Sequence, residues 1–212
     1  MNITKIGQAC IVVEEQGVKV LVDPGSYTTA QDELTGVDAI VITHEHGDHM
    51  GIDSIKKILA NNPGAVVIAN ASVGAALEKE GIAYTKVADG EQAEVKGLII
   101  KGAGKEHATI CDGFGLCENT GYFIGPRLFH PGDALYNPGI PVEILALPTG
   151  GPWMKIGEAI DYARAVHPRT AFPIHDFMYK PGMSMGDRLG DMFLKSSGID
   201  YVLMKEGDTK EF

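Results

Sequence analysis

Apolar and polar positions alternate along this chain with two periods, one of two residues and one near 3.6. Residues 9–15 (ACIVVEE) and 18–23 (VKVLVD) are rich in β-branched side chains, and the Gln16-Gly17 pair between them reads as a turn. The first 23 residues therefore predict a two-stranded hairpin. A polar stretch, 24–36, leads to a third strand-like run, DAIVIT at 38–43. Ile52, Ile55, Ile58 and Leu59 then recur at helical spacing until the Asn-Asn-Pro-Gly of 61–64 stops them. AVVIAN (65–70) predicts a strand, and ASVGAALEKEG (71–81) a helix closed by Gly81. Three short β runs broken by glycine follow at 98–104, 119–125 and 127–133, with Gly125-Pro126 as a tight connection between the last two.

In the last third, strands and helices alternate. EILALP (143–148) is strand-like. In KIGEAIDYARAV (155–166), Ile156, Ala159, Ile160 and Ala163 form one apolar face that leaves out Glu158, Asp161 and Arg164. TAFPI (170–174) predicts a strand, DRLGDMFLKSSG (187–198) a helix and IDYVLM (199–204) a closing strand. There is no sequence repeat and no low-complexity segment. β-rich runs followed by helices in each half predict two sheets packed face to face, with helices outside them, in one domain spanning 1–212.

Composition narrows the function classes. At 212 residues and 44% hydrophobic, the chain has enough apolar material for one sizeable core. It has no membrane-length apolar run and no basic-then-apolar leader at its start, so a soluble, cytoplasmic protein is expected. The formal charge is −10, from 28 acidic and 18 basic residues with no basic stripe, which argues against nucleic acid as a partner and for a small-molecule substrate. Bound divalent cations would make a pocket far less negative than the whole molecule, so small anions stay open as substrates. Cys10, Cys111 and Cys117 have neither metal-cage nor framework spacing and are expected as free thiols.

The candidate chemistry lies in THEHGDHMG, Thr43 to Gly51, where three imidazoles and two carboxylates fall within six residues directly after an apolar run. Imidazole is a common ligand for borderline metals, and a metal gives these groups a reason to converge. Further ligands should lie at other strand ends, where rigid elements can hold them. His107, Asp133 and His175 each end an apolar β run. A lone loop histidine is ordinarily just solvated, and an aspartate after Pro-Gly is ordinarily a turn residue. Four such coincidences together predict a metal site.

HEHGDH resembles the H-x-H-x-D-H signature of the metallo-β-lactamase superfamily, and His107, Asp133 and His175 follow in that family's order. LVDPG (21–25) is similar to its strand-ending Asp-Pro, and FPIHD (172–176) to its last ligand segment. FHPGDALY, PTGGPWMKIGEA and FPIHD look most like the small metal-dependent hydrolases related to ascorbate-6-phosphate lactonase. The resemblance implies an αββα sandwich of two mixed β-sheets flanked by helices. It implies one metal held by His44, His46 and His107, a second held by Asp48, His49 and His175, and Asp133 bridging both. Zinc suits these donors, and manganese and iron are also compatible. The implied chemistry is hydrolysis of a small ester, lactone, phosphodiester or related bond by a metal-bridging hydroxide that Asp48 orients and deprotonates.

Two rivals are iron-dependent oxygen or persulfide chemistry on the same fold and a non-catalytic metal-binding module. His46 stands where the diiron electron-transfer branch carries a carboxylate, and degenerate members usually lose ligands, so the complete set counts against a module. One departure is Gly7-Gln8, where relatives in this branch commonly carry Gly-His.

Other residues have narrower expectations. Gly47 is expected to allow a turn that no side chain tolerates, and Glu45 to lie at the surface. His130 is expected to support a ligand or fill the core, and His167 to cap a helix C-terminus. Trp153 and Tyr136 are candidates for a pocket wall or for ordinary packing. The methionines of 178–192 suit a core or a homo-oligomer interface.

Overall fold

The apolar runs become two seven-stranded sheets, in a computed structural model that describes residues 1–178, 188 and 190–212. The first sheet contains β1 (Asn2–Gly7), β2 (Cys10–Glu15), β3 (Val18–Val22), β4 (Ala39–Ile42), β5 (Val66–Ala69) and β6 (Thr85–Lys86). The second contains β7 (Gln92–Val95), β8 (Leu98–Ala103), β9 (Gly121–Ile124), β10 (Leu128–His130), β11 (Ile144–Pro148), β12 (Thr170–Ile174) and β13 (Asp200–Tyr201). The last strand, β14 (Thr209–Glu211), returns to the first sheet and pairs with β1. The spatial orders are β14-β1-β2-β3-β4-β5-β6 and β13-β12-β11-β10-β9-β8-β7.

The inner faces meet in a core that joins Ile11, Val20 and Val41 of one sheet to Ile100, Tyr122 and Phe172 of the other. Helices α1 (Ile52–Asn61) and α2 (Ala71–Lys79) cover the outer face of the first sheet through Ile55, Ile58, Val73 and Leu77. Helix α3 (Ile156–Val166) covers the second through Ala159, Ile160 and Ala163. Strands β4, β11 and β12 are thus buried on both faces and read as unbroken apolar runs, whereas β1 and β8 alternate. The αββα arrangement is the one expected.

Strand direction decides where the site forms. β3, β4 and β5 run parallel, as do β10, β11 and β12, while β1 and β8 point the same way as the parallel strands two places along. The loops leaving β1, β3, β4, β8, β10, β11 and β12 all start at C-terminal strand ends, where open parallel sheets gather ligands.

Three expectations need correction. The first 23 residues hold three strands; β1 escaped notice because Lys5 breaks its apolar pattern, yet Lys5 is buried, with Nζ 2.5 Å from Asp176 Oδ2. The helix expected over 187–198 is a π-helical turn at Gly190–Leu194 followed by a 3-10 turn at Lys195–Ser197, ended by Gly198 in the left-handed conformation. Residues 187 and 189 lie outside the described residues. Only Asp200–Tyr201 of the expected closing strand pairs with β12. Met178 and Met192 are exposed and so do not fill the core, while Met183 and Met185 lie outside the described residues. No helix among the described residues is long and apolar enough to cross a membrane.

Candidate metal centre

Thr43 to Met50 leave β4 as a tight loop in which His49 N and Met50 N both donate to His46 O, at 2.9 and 2.8 Å. The fold brings this loop against the ends of β8, β10 and β12. His44, His46, His107 and Asp133 form one group of donor atoms and Asp48, His49, Asp133 and His175 a second, with the atoms of each group within 4.8 Å of one another. Every residue expected as a ligand is in one of the two groups, and Asp133 is in both. Its Oδ1 lies 3.0 Å from His49 Nε2, and its Oδ2 lies 3.0 Å from His175 Nε2 and 3.4 Å from His107 Nε2.

The donors fit a cation. His49 Nε2, His107 Nε2, Asp133 Oδ1 and both ring nitrogens of His175 are buried without a hydrogen-bond partner, an arrangement that protein interiors otherwise avoid. The Nδ1 atoms of His44, His49 and His107, in contrast, are engaged. His49 Nδ1 donates to Asp23 Oδ2 at 2.7 Å, and His107 Nδ1 donates to Ala108 O at 2.5 Å. Thr43 Oγ1 donates to Asp23 Oδ2 at 2.8 Å and so accepts from His44 Nδ1 at 3.0 Å. Each of these bonds fixes a tautomer whose Nε2 lone pair faces the shared centre.

Asp23 is the supporting residue that the ligand search missed. It is fully buried, takes φ +48° and also accepts from Thr43 N at 2.8 Å. Its sequence signal was the Asp-Pro ending β3. Asn119 does the same for the second sheet: its Oδ1 accepts from Asp133 N at 3.0 Å, and its Nδ2 donates to Pro131 O at 2.9 Å.

The glycine that the centre needs is Gly25, not Gly47. A Cβ on Gly25 would sit 1.9 Å from Asp48 O, so only glycine lets the Asp23-Pro24-Gly25 turn press against the histidine loop. Gly47 has no left-handed φ, and a Cβ there would meet Ser26 Oγ at an ordinary 3.7 Å.

Other candidates fall as follows. His130 joins neither group; its Nε2 donates to Ala9 O at 3.1 Å and its Nδ1 accepts from Gly132 N, as a buried support beside Asp23. Trp153 Nε1 donates to Asp133 Oδ2 at 2.8 Å, so this ring is both wall and support. Tyr136 packs on Gly104 beside a neighbouring cavity instead. His167 caps α3 in the left-handed conformation, Glu45 is exposed, and Cys10, Cys111 and Cys117 are free. Gln8 occupies the departure noted after β1: its Nε2 donates to Asp48 Oδ2 at 2.9 Å, its Oε1 accepts from Phe177 N, and its backbone O accepts from His175 N.

Electrostatics divide the two groups. Burial, then the charge on His49, hold the His44 imidazole well below its usual range, and burial with His107 lowers His46. At His49 and His175, burial alone would lower the pKa, but Asp133 and the other carboxylates outweigh it, so His49 is raised well above its usual value and His175 to about 9. Burial of Asp48 is likewise outweighed by His175 and His49, which draw it down to about 2. A metal ligates neutral imidazole, so loading the stripped protein at pH 7 must displace the proton on His175. His49 in the same group is raised too, so affinity at the second group should rise with pH through about 9. Calorimetric titration in buffers of different ionisation enthalpy should show net proton release; none at pH 7 would contradict this charge arrangement.

The sequence profile of the β-lactamase superfamily domain matches residues 2–175, a span that includes both groups of donors. The chain belongs to this superfamily. Protein Rv0786c of Mycobacterium tuberculosis is 38% identical across 100% of this chain and 95% of its own length. A UPF0173 metal-dependent hydrolase of Carboxydothermus hydrogenoformans is 30% identical, covering 82% of this chain and 84% of its own. Igni18, a metallo hydrolase from the archaeon Ignicoccus hospitalis, has the same fold: its solved structure matches with a TM-score of 0.78 at 23% identity, over 100% of this chain and 98% of that one.

Proposed function

We propose that this metal-dependent hydrolase of the metallo-β-lactamase superfamily uses two divalent metals, zinc by donor type, to cleave a small ester, lactone, phosphodiester or related bond. The observation that carries the reading is Asp133, which belongs to both donor groups: its carboxylate faces His107 Nε2 in the first and His49 Nε2 and His175 Nε2 in the second, all buried nitrogens without a hydrogen-bond partner. His44, His46 and His107 would hold one metal, and Asp48, His49 and His175 the other, with Asp133 between them. Two metals so placed supply a nucleophilic water at neutral pH and a Lewis acid for the substrate oxygen.

The chain's own groups do the rest. Asp48 keeps a charged carboxylate at the mouth, oriented by Gln8, and accepts the proton of the attacking water. Trp153 locks the Asp133 carboxylate, while Asp23 locks His49 directly and His44 through Thr43. A small molecule is the partner in this reading, in keeping with the net charge of −10. The test is to strip the metals, reload with zinc, manganese or iron, and assay ester, lactone and phosphodiester hydrolysis in air and under nitrogen. Metal-restored hydrolysis that ignores oxygen supports the reading; activity that requires oxygen overturns it in favour of iron chemistry.

A further inference from the structure

The space over the donors has a character that the ligands do not dictate. It is a pocket of about 160 Å³ whose walls come from Tyr27, Ile110, Pro152, Trp153, Phe177 and Met178. Its polar lining consists of the metal-facing groups and the Gln8 amide, and none of the described lining residues is lysine or arginine. Lys5, beside the β12 loop, is buried and paired with Asp176.

The rim is apolar and open to solvent. Tyr27 is 55% exposed, Phe177 54% and Met178 67%, and the Tyr27 and Phe177 rings lie 5.6 Å apart. Phe114, also exposed, lies edge-on to His46 at 6.3 Å. Clustered exposed apolar side chains around a polar floor mark a ligand site, whereas single ones need no explanation. A cavity of about 150 Å³ holds one benzene-sized molecule, so this pocket admits one ring or branched chain and not a polymer backbone.

We propose that the substrate is an uncharged ester or lactone whose aromatic or branched aliphatic group packs between Trp153 and the Tyr27–Phe177 pair. This rests on the hydrolase reading above and narrows it to one substrate class. In the reaction, water forms the new acyl C–O bond and the acyl–alkoxy C–O bond breaks. One proton passes through Asp48 to the leaving oxygen, giving an acid and an alcohol. Among the described residues, a distal anionic group on the substrate would meet an apolar rim with no lysine or arginine in the pocket lining to pair it, on a chain of net charge −10.

Trp153 is the only tryptophan, so its emission reports occupancy directly. Metal-loaded protein would be titrated with acetanilide, an uncleaved neutral analogue, and with 4-acetamidobenzoate, which adds one carboxylate. The kcat/KM would be compared for phenyl acetate and 4-acetoxybenzoate. The neutral member of each pair should be favoured about tenfold or more. Tyr27→Ala and Phe177→Ala should each weaken acetanilide about fivefold or more with metal content unchanged. Equal treatment of neutral and charged members, or acetanilide binding unmoved in both variants, overturns the proposal. Acetanilide bound as stated with no hydrolysis of phenyl acetate overturns instead the hydrolase reading beneath it, so the two failures are distinct.

Discussion

Asp48→Asn should lower turnover on the order of a hundredfold or more while leaving the fold and the first metal position in place. The exchange conserves volume, and Asp48 is partly open at the pocket mouth, so folding has little reason to change. What it removes is the charge of a carboxylate 3.3 Å from His175 Nε2 and 3.6 Å from His49 Nε2. Asparagine can still accept from Gln8 but cannot take a proton from water. His44, His46 and His107 are untouched, so one metal per chain should be retained at wild-type affinity. Metal analysis beside hydrolysis rates reads both effects. Hydrolysis unchanged by the substitution would remove Asp48 from the mechanism, and a metal-binding module would have no turnover to lose.

Asp23→Asn should destabilise the protein by about 2–4 kcal/mol and weaken metal binding roughly 10–100-fold, although Asp23 is in neither group of donors. Asp23 Oδ1 accepts from Thr43 N, and Oδ2 accepts from both Thr43 Oγ1 and His49 Nδ1. An amide has one acceptor oxygen, so either orientation turns its NH2 toward a buried donor. His49 then loses the partner that fixes its tautomer, and the Thr43–His44 chain loosens with it. Urea unfolding of stripped protein isolates the stability effect, and metal titration isolates the affinity effect. Wild-type values in both would show that the carboxylate merely fills space.

The seven donors were legible because the histidine loop and then His107, Asp133 and His175 each follow an apolar strand run, and because HEHGDH resembles a known ligand signature. Their supports were not, because a hydrogen bond such as that from His49 to Asp23 spans 26 residues and leaves no periodic trace. Gly25 shows the same limit: its need for glycine comes from the backbone of Asp48, which only tertiary packing brings near. Edge strands were missed for a different reason. β14 is exposed throughout, and the four residues of β7 bury only Val95, which leaves little alternation for a pattern to show. Gln8 stood out as a departure from its relatives, but its bond to Asp48 became visible only once β1 was placed beside the histidine loop.

The most direct test of the central claim is a zinc titration of the stripped protein, with bound metal per chain and ester hydrolysis measured at every point. Asp133 shared between two sets of donors predicts saturation at about two metals per chain, with hydrolysis appearing as the second is bound. Full activity at one metal per chain, or saturation there, would contradict it.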